Sequence, residues 1–153
     1  MPFIRNASAA ILGLALTVGS TAASPAHAAD TYTLTIDSIV NAKGDLAISE
    51  ATVTGTASCT PSPAQQTQDV VVTLSEKNVD YLGLHFDLIS GTEPSNRFRC
   101  DGAPHPWTVT IEGSPPEEPG VTIPWVPGPG EVEGNIGGYD GVTVDQPATI
   151  VVS

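Results

Sequence analysis

The chain has 153 residues, with 17 acidic side chains against five basic ones and a formal net charge of −12 at pH 7. A surface so acidic repels phosphate backbones and anionic headgroups, which excludes nucleic-acid binding and membrane adsorption from the expected functions. No motif for a cofactor stands anywhere in it, so none is expected.

The N-terminus reads as an export signal. Arg5 and the free amine precede an apolar run from Ala9 to Gly19, shorter than the roughly 20 apolar residues that span a bilayer. Ala26 and Ala28 then supply the small side chains of a signal-peptidase site. Cleavage after Ala28 is expected, with residues 29–153 forming a single domain of a size that supports one hydrophobic core. No second apolar stretch of membrane-spanning length follows. The expected location is therefore extracellular, free or retained at the cell wall, with no membrane insertion of the mature chain.

The mature part reads as strands. Tyr32, Leu34 and Ile36 alternate with polar residues, and Asn41 to Asp45 supplies a turn before Leu46–Ile48 resumes extension. Glu50 to Cys59 is the clearest strand, with Val53, Gly55, Ala57 and Cys59 on one face and Thr52, Thr54, Thr56 and Ser58 on the other. Thr60 to Gln68 reads as a loop because its prolines lack the N–H donor. Val70 to Leu74 is β-branched and apolar, as a central strand requires. Tyr81 to Leu88 alternates at Leu82, Leu84, Phe86 and Leu88, and a short helix is the other reading. Arg97 to Cys100 and Trp107 to Ile111 alternate again, putting Phe98, Cys100, Trp107, Val109 and Ile111 inward. The stretch 113–130 concentrates proline and glycine and reads as an extended, solvated loop. Glu131 to Glu133 and a segment within Val142 to Val152 close the domain, with Pro147 expected to place the last strand at an edge or to delay its start.

Seven to eight short strands separated by turn signals predict an all-β, immunoglobulin-like sandwich. Outside the cytoplasm Cys59 and Cys100 are expected to pair as a disulfide, since two cysteines so far apart offer too few ligands for a metal. The segments Thr52–Cys59, Cys100–Gly102, Trp107–Ile111 and Pro127–Gly128 before Glu131–Glu133 resemble small secreted actinobacterial proteins of unknown function, which carry two cysteines and one immunoglobulin-like domain. The resemblance implies a fold and a compartment and transfers no catalytic residue. It departs from the antibody pattern, because Trp107 follows both cysteines and Phe98 stands where a corner tyrosine would be.

The candidate chemistry is sparse. His85 and His105 lack a Gly-x-Ser-x-Gly elbow to serve, and among 17 carboxylates some pair is always available for glycoside hydrolysis. Asp140, Asp145 and the Glu131/Glu133 pair offer oxygen ligands for calcium without EF-hand spacing, and Glu131 and Glu133 read equally as a solvated strand face. No metal site is expected. Trp125, flanked by prolines, and Tyr139, in a glycine-rich turn, are the binding candidates. The other reading of Trp125 is a ring folded back to cap the open end of the sandwich. The expected function is a non-enzymatic secreted module that binds an extracellular protein or a wall polysaccharide. The alternatives are an enzyme inhibitor inserting the 113–130 loop and a hydrolase using acidic residues.

Overall fold

A computed structural model describes residues 31–43, 49–61, 65–117 and 120–153. The expected signal peptide and the extension at Leu46–Ile48 lie outside the described residues. Ten strands follow in chain order: β1 Tyr32–Ile36, β2 Ile39–Ala42, β3 Glu50–Cys59, β4 Thr67–Gln68, β5 Val70–Tyr81, β6 Leu84–Pro94, β7 Phe98–Arg99, β8 His105–Glu112, β9 Gly128–Ile136 and β10 Val142–Val152. A 3-10 turn at Gly138–Asp140 links the last two. The fold is all-β and immunoglobulin-like, with more strands than expected because β4 and β7 form a separate two-stranded sheet.

The main sheet folds into two layers. In one, β3 holds β1 along Gly55–Cys59 and β8 along Glu50–Ala57, both antiparallel. In the other, β2, β10, β9, β5 and β6 lie side by side. The layers join because β1 and β2 follow the same edge of β3 and then part. Asp37 donates its N–H to the Thr54 carbonyl at 2.8 Å. Beyond it β2 keeps only two residue pairs with β3 and runs parallel to β10 from Ile39 to Ala42. Across the interior β1 faces β9 and β10, and β8 faces β5 and β6.

Alternation in the sequence becomes burial here. Leu34, Ile36, Val53, Ala57, Val70, Val72, Leu74, Val109, Ile111, Val132 and Ile150 all point into the core. Trp107 is buried opposite Gly55 in the β3–β8 register. A Cβ on Gly55 would stand 2.5 Å from the Trp107 ring and 2.1 Å from the Thr35 carbonyl oxygen. Glycine is needed there for close approach, letting the indole lie against bare backbone. On the outer face the threonines bond across strands, Thr33 to Ser58 and Thr35 to Thr56, each at 2.7 Å.

Tyr81–Leu88 takes the strand reading: β5 and β6 make one long hairpin around Leu82-Gly83. Other expectations are corrected in detail. Thr67 and Gln68, read as loop, pair with Phe98 and Arg99. Pro147 does not delay β10, which begins at Val142. There β10 pairs with β9 alone, since β2 joins only from Thr149, so the missing N–H of Pro147 interrupts no ladder on the open side.

Cys59 and Cys100 form a disulfide across 41 residues of sequence, tying the end of β3 to the segment after β7. Gly102 N–H donates to the Cys59 carbonyl and Cys100 N–H to Gln66, both at 3.0 Å, so hydrogen bonds brace the same junction. Closing a loop of this length removes unfolded-state entropy worth about 4 kcal/mol. Reduction should lower the urea midpoint by the equivalent of about 2–4 kcal/mol; an unchanged midpoint in dithiothreitol would show that the bond contributes nothing.

Candidate functional site

Strand directions sort the candidate residues to two ends of the sandwich. β9 begins near Trp125 and ends near Tyr139, and nine extended residues span about 30 Å. Trp125 and Tyr139 therefore cannot form one patch. The disulfide, Tyr32 and the 3-10 turn occupy one end, where Gly137 lies against the Tyr32 ring. Trp125, Ile111, Glu76 and the β5–β6 hairpin occupy the other.

Trp125 is not an exposed anchor. Its side chain is 2% exposed, and Nε1–H donates to the Ile111 carbonyl at 3.1 Å. The 113–130 stretch is accordingly not solvated throughout: Pro116, Glu117 and Gly120 to Thr122 are exposed, but both of its flanks pack on the domain. Ile123 is buried and donates its N–H to the Gly113 carbonyl at 3.0 Å. The buried Ser49 hydroxyl bonds the Ile123 carbonyl and accepts from Gly113 N–H at 3.1 Å. Gly128 to Gly130 already belong to β9. The stretch folds back and caps the open end, the second of the two readings of Trp125. Its cost in chain entropy is offset by burying a large aromatic ring whose polar atom is satisfied.

Glu76 sits beneath this cap, 4% exposed, with Oε2 accepting the Val126 N–H at 3.3 Å. Burial disfavours its charged form and raises its pKa above the ordinary value, while the Val126 hydrogen bond pulls the other way.

At the same end the hairpin exposes apolar side chains. Leu82 and Gly83 have φ of 52° and 80°, the left-handed pair of a type I′ turn, where Asn-Gly is preferred. Leucine at that first position carries a Cβ penalty of about 1–2 kcal/mol. Leu82 is 80% and Leu84 62% exposed, whereas Phe86 and Leu88 are half-buried. The alternating run that reads as one core face thus leaves the core at its N-terminal half. Sequence reasoning missed this pair. The available signal was an X-Gly dipeptide between two alternating runs, obscured because X is leucine.

The histidines take carboxylate partners. His85 Nδ1 lies 2.8 Å from Asp80 and Nε2 3.4 Å from Asp87. The hydrogen bond to Asp80, with smaller contributions from the charges of both aspartates, raises its pKa. Both ring nitrogens are engaged, which suits an imidazolium rather than a base serving a nucleophile. His105 Nε2 lies 2.8 Å from Asp101, and its ring stacks on Phe98 at 5.9 Å. That bond, and one from Ala103 N–H, hold the Asp101 carboxyl below its usual value.

The candidate calcium ligands take other partners or lie along one strand pair. Glu131 pairs with Lys77 at 2.9 Å, Glu133 lies opposite Asp145 in the β9–β10 register, and the Asp140 side chain lies outside the described part. Among the described residues no group of three potential ligands could hold a metal ion, and no helix is long and apolar enough to cross a membrane.

No protein-family model and no curated protein matches the chain. A solved structure of Pseudomonas fluorescens alkylpurine DNA glycosylase AlkC, bound to DNA containing an abasic site analog, is similar over 80% of this chain and 30% of that one. The identity is 16% and the TM-score 0.37, a likeness too slight to carry an argument. This chain spans less than a third of that protein's length.

Two titrations test the electrostatics. A raised folded pKa means that the Glu76 contribution is fully present below the unfolded carboxyl pKa and is lost as pH rises through the folded value. Glu76→Gln should therefore melt above wild type at neutral pH, and the difference should vanish in acid; a variant that melts lower at neutral pH would contradict the desolvated carboxyl. For His85, NMR titration should give a pKa above about 6.5 that falls on Asp80→Asn. Its pairing supports the hairpin below that pH and fades as pH rises through the folded value. Identical titrations of wild type and variant would contradict the Asp80 contact.

Proposed function

We propose that the chain is a secreted, non-enzymatic binding module whose partner is an extracellular protein, docked at the tip of the β5–β6 hairpin. The observation that carries this reading is the pair Leu82 and Leu84, held in water at the end of a long hairpin. One exposed leucine on a surface is ordinary. Here a second stands beside it, and the first occupies a left-handed turn position that asparagine or glycine would fill at lower cost. Such a choice weakens the free hairpin and is compensated when both side chains leave water against a partner. The Cys59–Cys100 bond supports an oxidising compartment, in keeping with the export signal expected at the N-terminus.

Tyr139 supports a second reading. It is fully exposed on the 3-10 turn at the opposite end, where its ring is free to stack on a sugar of a wall polysaccharide. The inhibitor alternative loses its main support, because the 113–130 loop is anchored at Ile123 and Trp125.

Leu82→Asn separates binding from folding. Asparagine tolerates the left-handed turn, so the variant should be as stable as wild type or up to about 1 kcal/mol more stable. Purified from culture medium and immobilised, it should lose the protein retained by wild type from the secreted and wall fractions. Equal recovery by both would overturn docking at the hairpin tip. Loss on Tyr139→Ala alone, with polysaccharide as the retained material, would favour the second reading.

A further inference from the structure

The edge of the five-stranded layer beside this hairpin has an unusual neighbour. β6 is paired along its inner edge with β5, from Val71↔Pro94 to Tyr81↔Leu84. Its outer edge is bridged at Ser90, where Ser90 and Ser114 exchange two backbone hydrogen bonds of 3.0 Å. The ladder cannot continue through the next two positions of that neighbour. Pro115 and Pro116 have no N–H to donate, and their rings fix the backbone. Among the described residues no strand covers the outer edge of β6 between Leu84 and Leu88.

What lies there instead is a groove. Leu84–Leu88 forms one wall and Pro115–Glu117 the other, enclosing about 340 Å³, within the range of about 300–1,000 Å³ that ligand clefts occupy. Leu84, Phe86, Leu88 and the two prolines give it apolar walls. Asp87, Glu117 and His85 line it as well, with His85 held between Asp80 and Asp87. The Asp80 and Asp87 side chains are largely exposed, and with Glu117 these carboxylates outnumber the one imidazole between them, so a net negative charge faces an incoming group.

We propose that this groove receives an extended peptide segment carrying lysine or arginine, which adds as a further strand to the outer edge of β6. The proposal rests on the hairpin reading above and names the chemistry of the partner. An exposed strand edge offers backbone donors and acceptors in a row, and strand addition is the recognition mode that uses them. Apolar walls take alternate side chains of the added strand, and the carboxylates at the rim take its cations. A second copy of this chain is the wrong occupant. Each copy carries 17 acidic side chains, and edge-to-edge pairing would set one acidic rim against the other. The same carboxylates that admit a basic strand thus keep copies apart.

The test uses the protein purified from culture medium and a fluorescein-labelled peptide of alternating valine and lysine. Two companions share its length: one methylated on alternate backbone nitrogens, and one with glutamate in place of lysine. Fluorescence anisotropy should show saturable binding of the valine–lysine peptide and roughly tenfold or weaker binding of both companions. Asp87→Lys combined with Glu117→Lys should weaken the valine–lysine peptide by roughly tenfold or more. The melting temperature of that variant reports separately on folding. Absence of saturable binding would overturn the proposal. So would equal binding of the methylated peptide, which would reveal attraction between charges without strand pairing. Partner loss on Leu82→Asn with no peptide binding would leave hairpin docking standing and sink strand addition. Peptide binding with partner recovery indifferent to Leu82→Asn would do the reverse.

Discussion

The indole of Trp125 is held inside the molecule by one hydrogen bond to the Ile111 carbonyl and by the closeness of Gly113, where an added Cβ would stand 3.1 Å from the ring. A sandwich of two twisted sheets splays at its ends, and this ring, with Ile123, fills the gap on the side away from the disulfide. That contact, with the Ser49 and Ile123 hydrogen bonds to Gly113, anchors the described parts of 113–126 on either side of residues 118–119. Ser114 is brought against Ser90, the two prolines are laid along β6, and Val126 is set over the Glu76 carboxyl. The groove assigned to a peptide therefore owes its second wall to a residue about ten positions further along the chain, through burial rather than direct contact.

The two ends of the sandwich are closed by different chemistry. At one, a covalent bond joins residues far apart in sequence, and backbone hydrogen bonds from Cys100 and Gly102 reinforce it. At the other, closure is non-covalent and includes a carboxyl buried at a desolvation cost. The non-covalent end is also where apolar side chains face water and where β6 lacks a neighbour. Groups that engage partners are drawn from regions that do not maximise the stability of the free chain. On the reading proposed above, those groups are the left-handed Leu82, the exposed Leu84 and the proline-interrupted edge.

The acidic excess takes on local meaning on this surface. Glu131 pairs with Lys77, and Asp101 and Asp80 share contacts with His105 and His85. Glu133 and Asp145 face each other across β9 and β10 in water. Much of the charge is a solvated coat, which keeps copies of the chain apart. At the β6 groove it adjoins an apolar cleft and an open strand edge.

From residue order alone, the strands at Tyr32–Ile36, Glu50–Cys59 and Trp107–Ile111, the inward side of each, and the pairing of Cys59 with Cys100 were all legible. Each depends on a period of two or on oxidation of the two cysteines present, and both are local or compositional rules. The positions of Trp125, Leu82 and Leu84 were not. A tryptophan among prolines has the same neighbours in sequence whether it points to water or into a gap, and only the gap left by two splayed sheets decides between them. Likewise Leu82 and Leu84 continue an apolar alternation that belongs to the core further along, and the length of the β5–β6 hairpin carries them past the layer that would have covered them. Burial is set by what arrives from elsewhere in the chain, and residue order along one segment does not contain that information.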